Sequence, residues 1–126
     1  MNELFPALRK MNVSLVIGSS LNAGFISGSP RYNYGKENFK IPAAVIEKRE
    51  KLRTVAARYG VDLRTAALQF SGAPDVAIAL VVGARSHQQI AEDYNSLQAK
   101  IPSAFWAELK ERGLIEADAS LPAAPV

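Results

Sequence analysis

Gly83, Arg85 and Ser86 are the residues whose types and spacing most directly suggest chemistry in this chain. A short apolar run ends at Val81-Val82. Gly83 then leaves room for a close approach, and a guanidinium follows at Arg85. Ser86-His87-Gln88-Gln89 has the form of a capping box, with Ser86 as N-cap and Gln89 at N3. A helix beginning there presents unpaired N–H groups and the positive end of its dipole, which suits an anion such as a phosphate. A second run of small and polar residues, Gly18-Ser19-Ser20-Leu21-Asn22-Ala23-Gly24, follows another apolar segment in the same way. Other chemistries lack material. Zero cysteines exclude thiolate chemistry and a disulfide framework, and one histidine, His87, leaves too little for a zinc site or a Ser-His-Asp triad.

These loops need elements to hold them. Leu4 to Lys10 reads as the end of a helix, and Val13 to Ile17 as a short buried strand stopped by Gly18. Gly28 to Pro42 is a long irregular stretch that includes Arg31-Tyr32-Asn33-Tyr34-Gly35. Pro42 opens a helix to about Tyr59, with an apolar stripe of Val45, Leu52, Val55, Ala56 and Tyr59 and with Gly60 as its stop. A second helix is expected over Leu63 to Phe70 and a strand over Ala77 to Val82. The helix from Ser86 to Leu97 is expected to turn Ile90, Tyr94 and Leu97 inward. A last helix, Ser103 to Arg112, carries Phe105, Trp106 and Leu109 and stops at Gly113. Leu121 to Val126 reads as a frayed tail. Two apolar strands, each followed by a loop and a helix, are βα units of a parallel sheet, so the class is α/β.

Bulk properties set the frame. The chain has 126 residues, 48% apolar and 21% charged, enough for one domain with a sizeable core. It has no run of about 18 apolar residues that could span a membrane. Its first ten residues lack a signal peptide's apolar centre. The absence of cysteine fits a cytoplasmic protein. Charge is uneven: residues 31–64 hold nine Lys/Arg against four acids, and residues 65–126 hold four against seven. The plain reading of that excess is a solvated basic helix face.

Three segments resemble a known family, in order and with matching spacing. Gly18-Ser19-Ser20-Leu21-Asn22-Ala23-Gly24-Phe25-Ile26-Ser27-Gly28 resembles the loop after the seventh barrel strand of aldo-keto reductases. Val81-Val82-Gly83-Ala84-Arg85-Ser86, with Gln89, Glu92 and Asp93 at helical spacing, is similar to their loop and helix after the eighth strand. Ile101 to Leu109 is similar to their closing helix. The likeness is greatest to the branch of aldose (L-fucose-type) and pyridoxal dehydrogenases, whose loop also tends to read Arg-Tyr-Asn-Tyr. Two positions depart from the family's usual pattern. Val82 stands where proline is common, and Asp93 stands where asparagine is common.

The resemblance implies the C-terminal part of a (β/α)8 TIM barrel, an incomplete barrel with strands seven and eight. Residues 1–10 would end the preceding helix, 11–75 form the seventh βα unit, 76–116 the eighth unit and closing helix, and 117–126 a tail. It implies an NAD(P)-dependent oxidoreductase that moves a hydride between the cofactor and a carbonyl or lactol. Ser19, Leu21, Asn22 and Gly24 would lie along the pyrophosphate. Gly83, Arg85, Ser86 and Gln89 would hold the adenosine end, with Asp93 near the adenine. Arg85 suits the 2′-phosphate of NADP, with NAD the alternative. A complete barrel needs about 250 residues, and the family's catalytic tyrosine, lysine, aspartate and histidine belong to earlier strands. The chain alone is therefore expected to be inactive, to carry no catalytic residue and no metal, and to bind the cofactor weakly. Met1 is read as an internal methionine of a longer protein. Tyr32 and Tyr34 are read as loop-packing or cofactor-lid residues, and His87 as a surface residue.

Two rival readings remain open at the level of sequence. Ala56 to Ala66 has the cadence of a helix-turn-helix in the basic half, although the second helix offers few polar base readers beyond Arg64, Thr65 and Gln69. The other is a non-catalytic remnant that survives by self-association as a homo-oligomer, because two parallel strands cannot close a barrel.

Overall fold

The structure, a computed structural model, describes residues 3–32 and 40–123. Its two strands, β1 (Leu15–Gly18) and β2 (Ala77–Val81), pair in parallel. Parallel neighbours need a crossover connection, and here the crossover carries a 3-10 helix (Asn22–Ser27), α2 (Ala43–Arg58) and α3 (Leu63–Ser71). Helix α1 (Leu4–Met11) precedes the sheet, and α4 (His87–Gln98) and α5 (Ser103–Glu111) follow it. The register sets Leu15 against Ala77, slips once, and then runs from Val16 opposite Ala79 to Gly18 opposite Val81. Both strands thus end at the same level, and the two loops that follow them leave the sheet side by side.

The first strand begins later than its β-branched run suggests. Asn12 ends α1 in the left-handed region at φ 53°, and the N–H of Val13 donates back to Leu8 O at 2.9 Å. Val13 is thereby tied to the helix end, and pairing starts only at Leu15. Arg9 then joins α1 to the approach of β2 through a two-pronged contact with Asp75, at 2.7 and 2.6 Å.

The core lies among the helices. Val55 and Ala56 of α2, Ala66 of α3, and Phe105, Trp106 and Leu109 of α5 form it together with Ile101 and Leu114. Phe105 meets Trp106 edge-on at 4.9 Å and Tyr59 at 5.9 Å, favoured ring geometries. Four of the five residues of the α2 stripe meet this core: Val55 and Ala56 within it, and Leu52 and Tyr59 packed against it. Gly60 and Gly113 stop α2 and α5 at φ +63° and +64°, a backbone region open to glycine. Asp62 caps α3, its carboxylate accepting from the N–H and hydroxyl of Thr65 at 2.8 and 2.9 Å. Leu121 packs against the core, so order extends into the stretch read as a frayed tail. The end of that tail, residues 124–126, lies outside the described residues, as does Tyr34.

Two expectations about burial do not hold. Val16, Ile78 and Val81 are exposed by 58, 69 and 62%. Strand side chains alternate between faces, and among the described helices it is α3 that packs against β2. In α4, Ile90, Tyr94 and Leu97 are exposed, while Asp93 and Ser96 face α3. The reason is a polar seam. Arg64 pairs with Asp93, the Ser96 hydroxyl is hydrogen-bonded to Thr65 Oγ1 at 3.0 Å, and Gln69 Nε2 donates to the carbonyls of Ser96 and Ala99 at 2.7 Å each. Helical spacing finds an apolar face but not the side on which a neighbour sits. The seam also engages the three residues that a helix-turn-helix would have used to read bases.

Candidate functional site

The loops after β1 and β2 line one open cleft of about 1170 Å³. The first loop is tightly coiled. Ser19, Asn22 and Ala23 take left-handed conformations at φ 61°, 46° and 58°, and Gly24 follows at 83°. For a non-glycine residue this region costs about 1 kcal/mol or more, so the surroundings must enforce it. They do so through short turns: Asn22 N–H donates to Ser19 O at 2.8 Å, Gly24 N–H to Leu21 O at 2.9 Å, and Ser29 N–H to Gly24 O at 2.9 Å. Phe25, buried at 4% exposure, anchors the coil. The Arg49 guanidinium of α2 lies 4.3 Å from its ring centre and donates to its carbonyl at 3.3 Å, and Tyr32 meets the ring edge-on at 5.1 Å.

The second loop is set by the start of α4. Ser86 Oγ accepts from Gln89 N–H at 3.2 Å, which satisfies one of the orphan donors of the first turn. Gln89 reaches back as a capping box does, but its Oε1 accepts from the N–H of Arg85 at 2.7 Å rather than from the cap residue. The amide therefore holds the Arg85 backbone in place. Its Nε2 is the end suited to donate to a ligand.

Of the residues expected at the site, Ser19, Leu21, Asn22 and Gly24 from the first loop and Gly83, Arg85 and Gln89 from the second line the same cleft. Ser86 stands just outside the lining as the cap. Asp93 is placed elsewhere: it is 9% exposed and faces α3, where it pairs with Arg64. Tyr32 also lines the cleft, and His87 is exposed at the first residue of α4. Among the described residues no group of three or more His, Cys, Asp or Glu side chains could hold a metal ion, and no helix is long and apolar enough to cross a membrane.

Of the lining residues not expected at the site, two carry most of the argument. Ser20 Oγ is buried and has no hydrogen-bond partner among the described residues. A buried hydroxyl without a partner costs about 1–3 kcal/mol, and a ligand oxygen in the cleft would relieve that cost. Nothing in the local sequence separates Ser20 from its neighbour Ser19. The other is Arg64, which enters the lining from α3 and donates to Glu92 Oε2 at 2.8 Å while also pairing with Asp93. It lies 28 residues before Glu92, a partnership set by tertiary packing.

Chemically, the cleft offers coiled backbone, small hydroxyl side chains and cationic groups at Arg31 and Arg85. This combination suits an extended, phosphate-bearing molecule. The family model described as "Aldo/keto reductase family" matches residues 1–113. The chain is also similar to a pyridoxal 4-dehydrogenase of Microbacterium luteolum, with 29% identity over 117 residues. That alignment covers 90% of this chain and 33% of the dehydrogenase, so the chain spans about a third of that relative's length.

Proposed function

The chain belongs to the aldo/keto reductase family, and from that premise we propose that it supplies the nucleotide-binding part of an NAD(P)-dependent oxidoreductase acting on a carbonyl or lactol. The family's fold is a (β/α)8 barrel, and a pair of parallel strands whose loops leave the same end is consistent with two adjacent units of one. The observation that carries the reading is the convergence of the two loops on one cleft with the unpartnered Ser20 hydroxyl in its wall. The cofactor, when bound, supplies the hydride chemistry.

The chain's own part is to bind and orient. The coiled first loop brings backbone groups and the Ser19 and Ser20 hydroxyls to the pyrophosphate. Gly83 has nothing within 4 Å of where a Cβ would stand, leaving open space beside the strand end. Arg85 answers the 2′-phosphate, its backbone fixed by Gln89. Asp93 does not serve the adenine in this reading, because Arg64 already holds it. No catalytic group is assigned: Tyr32 belongs to the cofactor wall, and the chain by itself is proposed to turn over no substrate. An aldehyde such as the pyridoxal named in the relative's activity is one substrate to try with a complete barrel of the family.

Calorimetric titration with NADP, NAD and 2′,5′-ADP tests the reading. Weak but saturable binding of NADP and 2′,5′-ADP is expected. If the folded chain binds none of the three, the nucleotide assignment fails.

A further inference from the structure

Arg64 occupies an unusual position: it is a cation in the wall of the cleft, yet it spends its charge on the acids of α4. Its Nη1 donates to Glu92 Oε2 at 2.8 Å and its Nη2 pairs with Asp93. Glu92 shares the cleft wall with Arg64, Arg85 and Gln89, while Asp93 lies buried one residue further on. The other oxygen of Glu92 accepts from Gln88 Nε2 at 3.1 Å. Two adjacent carboxylates in the second turn of α4 therefore stand close to the place where an anionic ligand would meet the start of that helix.

We propose that Arg64 is a positioning and charge-screening residue of the nucleotide site, holding Glu92 and Asp93 so that their charge does not repel phosphate at Arg85. The proposal rests on the cleft being a nucleotide site and adds a specificity role that the loops do not supply. The two carboxylates add two negative charges near the cleft, and one guanidinium offsets part of that field at short range. With Arg64 removed, Glu92 in the cleft wall and the buried Asp93 behind it both act on the ligand uncompensated. At an effective dielectric of about 20, a unit charge about 12 Å from a phosphate changes affinity about tenfold. A group bearing more phosphate charge must feel this more, so Arg64 favours NADP over NAD alongside Arg85.

A simple mechanical latch between α3 and α4 would use the same contacts but answers differently to substitution. Glu92→Gln keeps a carbonyl acceptor for Arg64, leaves the Arg64–Asp93 pair in place and removes one charge from the cleft. Glu92 is about half-exposed, so the variant is expected to fold, which circular dichroism checks. Charge screening predicts that E92Q binds 2′,5′-ADP several-fold more tightly than the parent and that the gain shrinks as salt is raised. A latch predicts equal or weaker binding, insensitive to salt. R64Q should lose about tenfold, and R64Q/E92Q should recover part of the loss. An E92Q protein that binds no better than the parent at low salt overturns the proposal while leaving the nucleotide reading intact. A parent that binds no 2′,5′-ADP overturns both.

Discussion

In the proposed nucleotide site, Arg85 is the residue on which cofactor preference would turn. It lines the cleft, and its backbone N–H is held by Gln89 Oε1. Charge-assisted contacts contribute about 1.5–3 kcal/mol, so Arg85→Ala should weaken NADP binding by about tenfold or more and weaken NAD much less. Equal losses for both cofactors in calorimetry would remove the 2′-phosphate assignment. Carboxylates elsewhere set the response to acid. A hydrogen bond from Arg9 and its charge hold Asp75 below the usual carboxylate range, and Lys51 does the same for Glu47. Burial pushes Glu108 up, but hydrogen bonds from Tyr59 and Arg58 and the charges of Arg58 and Arg112 together hold it low. A depressed folded-state value means that the stabilisation is complete above the unfolded carboxylate range and is lost as pH falls through the lowered values. Denaturant titrations should therefore show a midpoint that declines as pH drops below that range. In Asp75→Asn the decline should be shallower.

Among the elements, α3 does the most to join the site to the core. Its apolar residues Ala66 and Leu68 are buried, its Asp62 cap fixes where it starts, and its polar seam carries α4. Asp62→Ala should cost about 1 kcal/mol of stability through the lost cap, read from chemical denaturation. Leu109, 2% exposed in α5, sits in the core on which α3 rests. Leu109→Ala should cost about 2–5 kcal/mol by transfer and cavity terms, a large share of the total stability of a small domain. If Leu109→Ala leaves the unfolding midpoint unchanged, the helical cluster is not the centre of stability described above. Most element positions were legible from periodicity and stop residues: the α2 stripe, the Ser86 cap, and the glycines at 60 and 113 all lie in local sequence. The inward face of α4 was not. Ile90, Tyr94 and Leu97 form an apolar row, but the side turned inward was chosen by Arg64, Thr65 and Gln69 on another helix.

At the scale of the molecule, the uneven charge of the two halves becomes an internal feature. Arg58 pairs with Glu108, and Arg64 pairs with Glu92 and Asp93, so basic residues of α2 and α3 meet acids of α4 and α5. Part of the excess read as a solvated face is thus spent between elements. The strands leave Val16, Ile78 and Val81 exposed, and α4 leaves Ile90 and Tyr94 exposed. Apolar surface of that kind beside open strand edges favours association. The 126-residue chain, purified as it stands, is expected to sediment as an oligomer, and a compact stable monomer at all concentrations would refute that expectation.

The amino-acid sequence by itself determined the class of fold, the two post-strand loops, the capped start of α4 and the family, because each rests on residues that are close along the chain. Tertiary structure alone decided that seven of the nine expected site residues share one cleft while Asp93 turns away to Arg64. It also decided that Ser20 Oγ is buried without a partner and that the core lies between helices rather than on the sheet. Those outcomes depend on which side of each element meets another. Local spacing cannot encode that choice, because it is settled by the competition of distant side chains for the same contact.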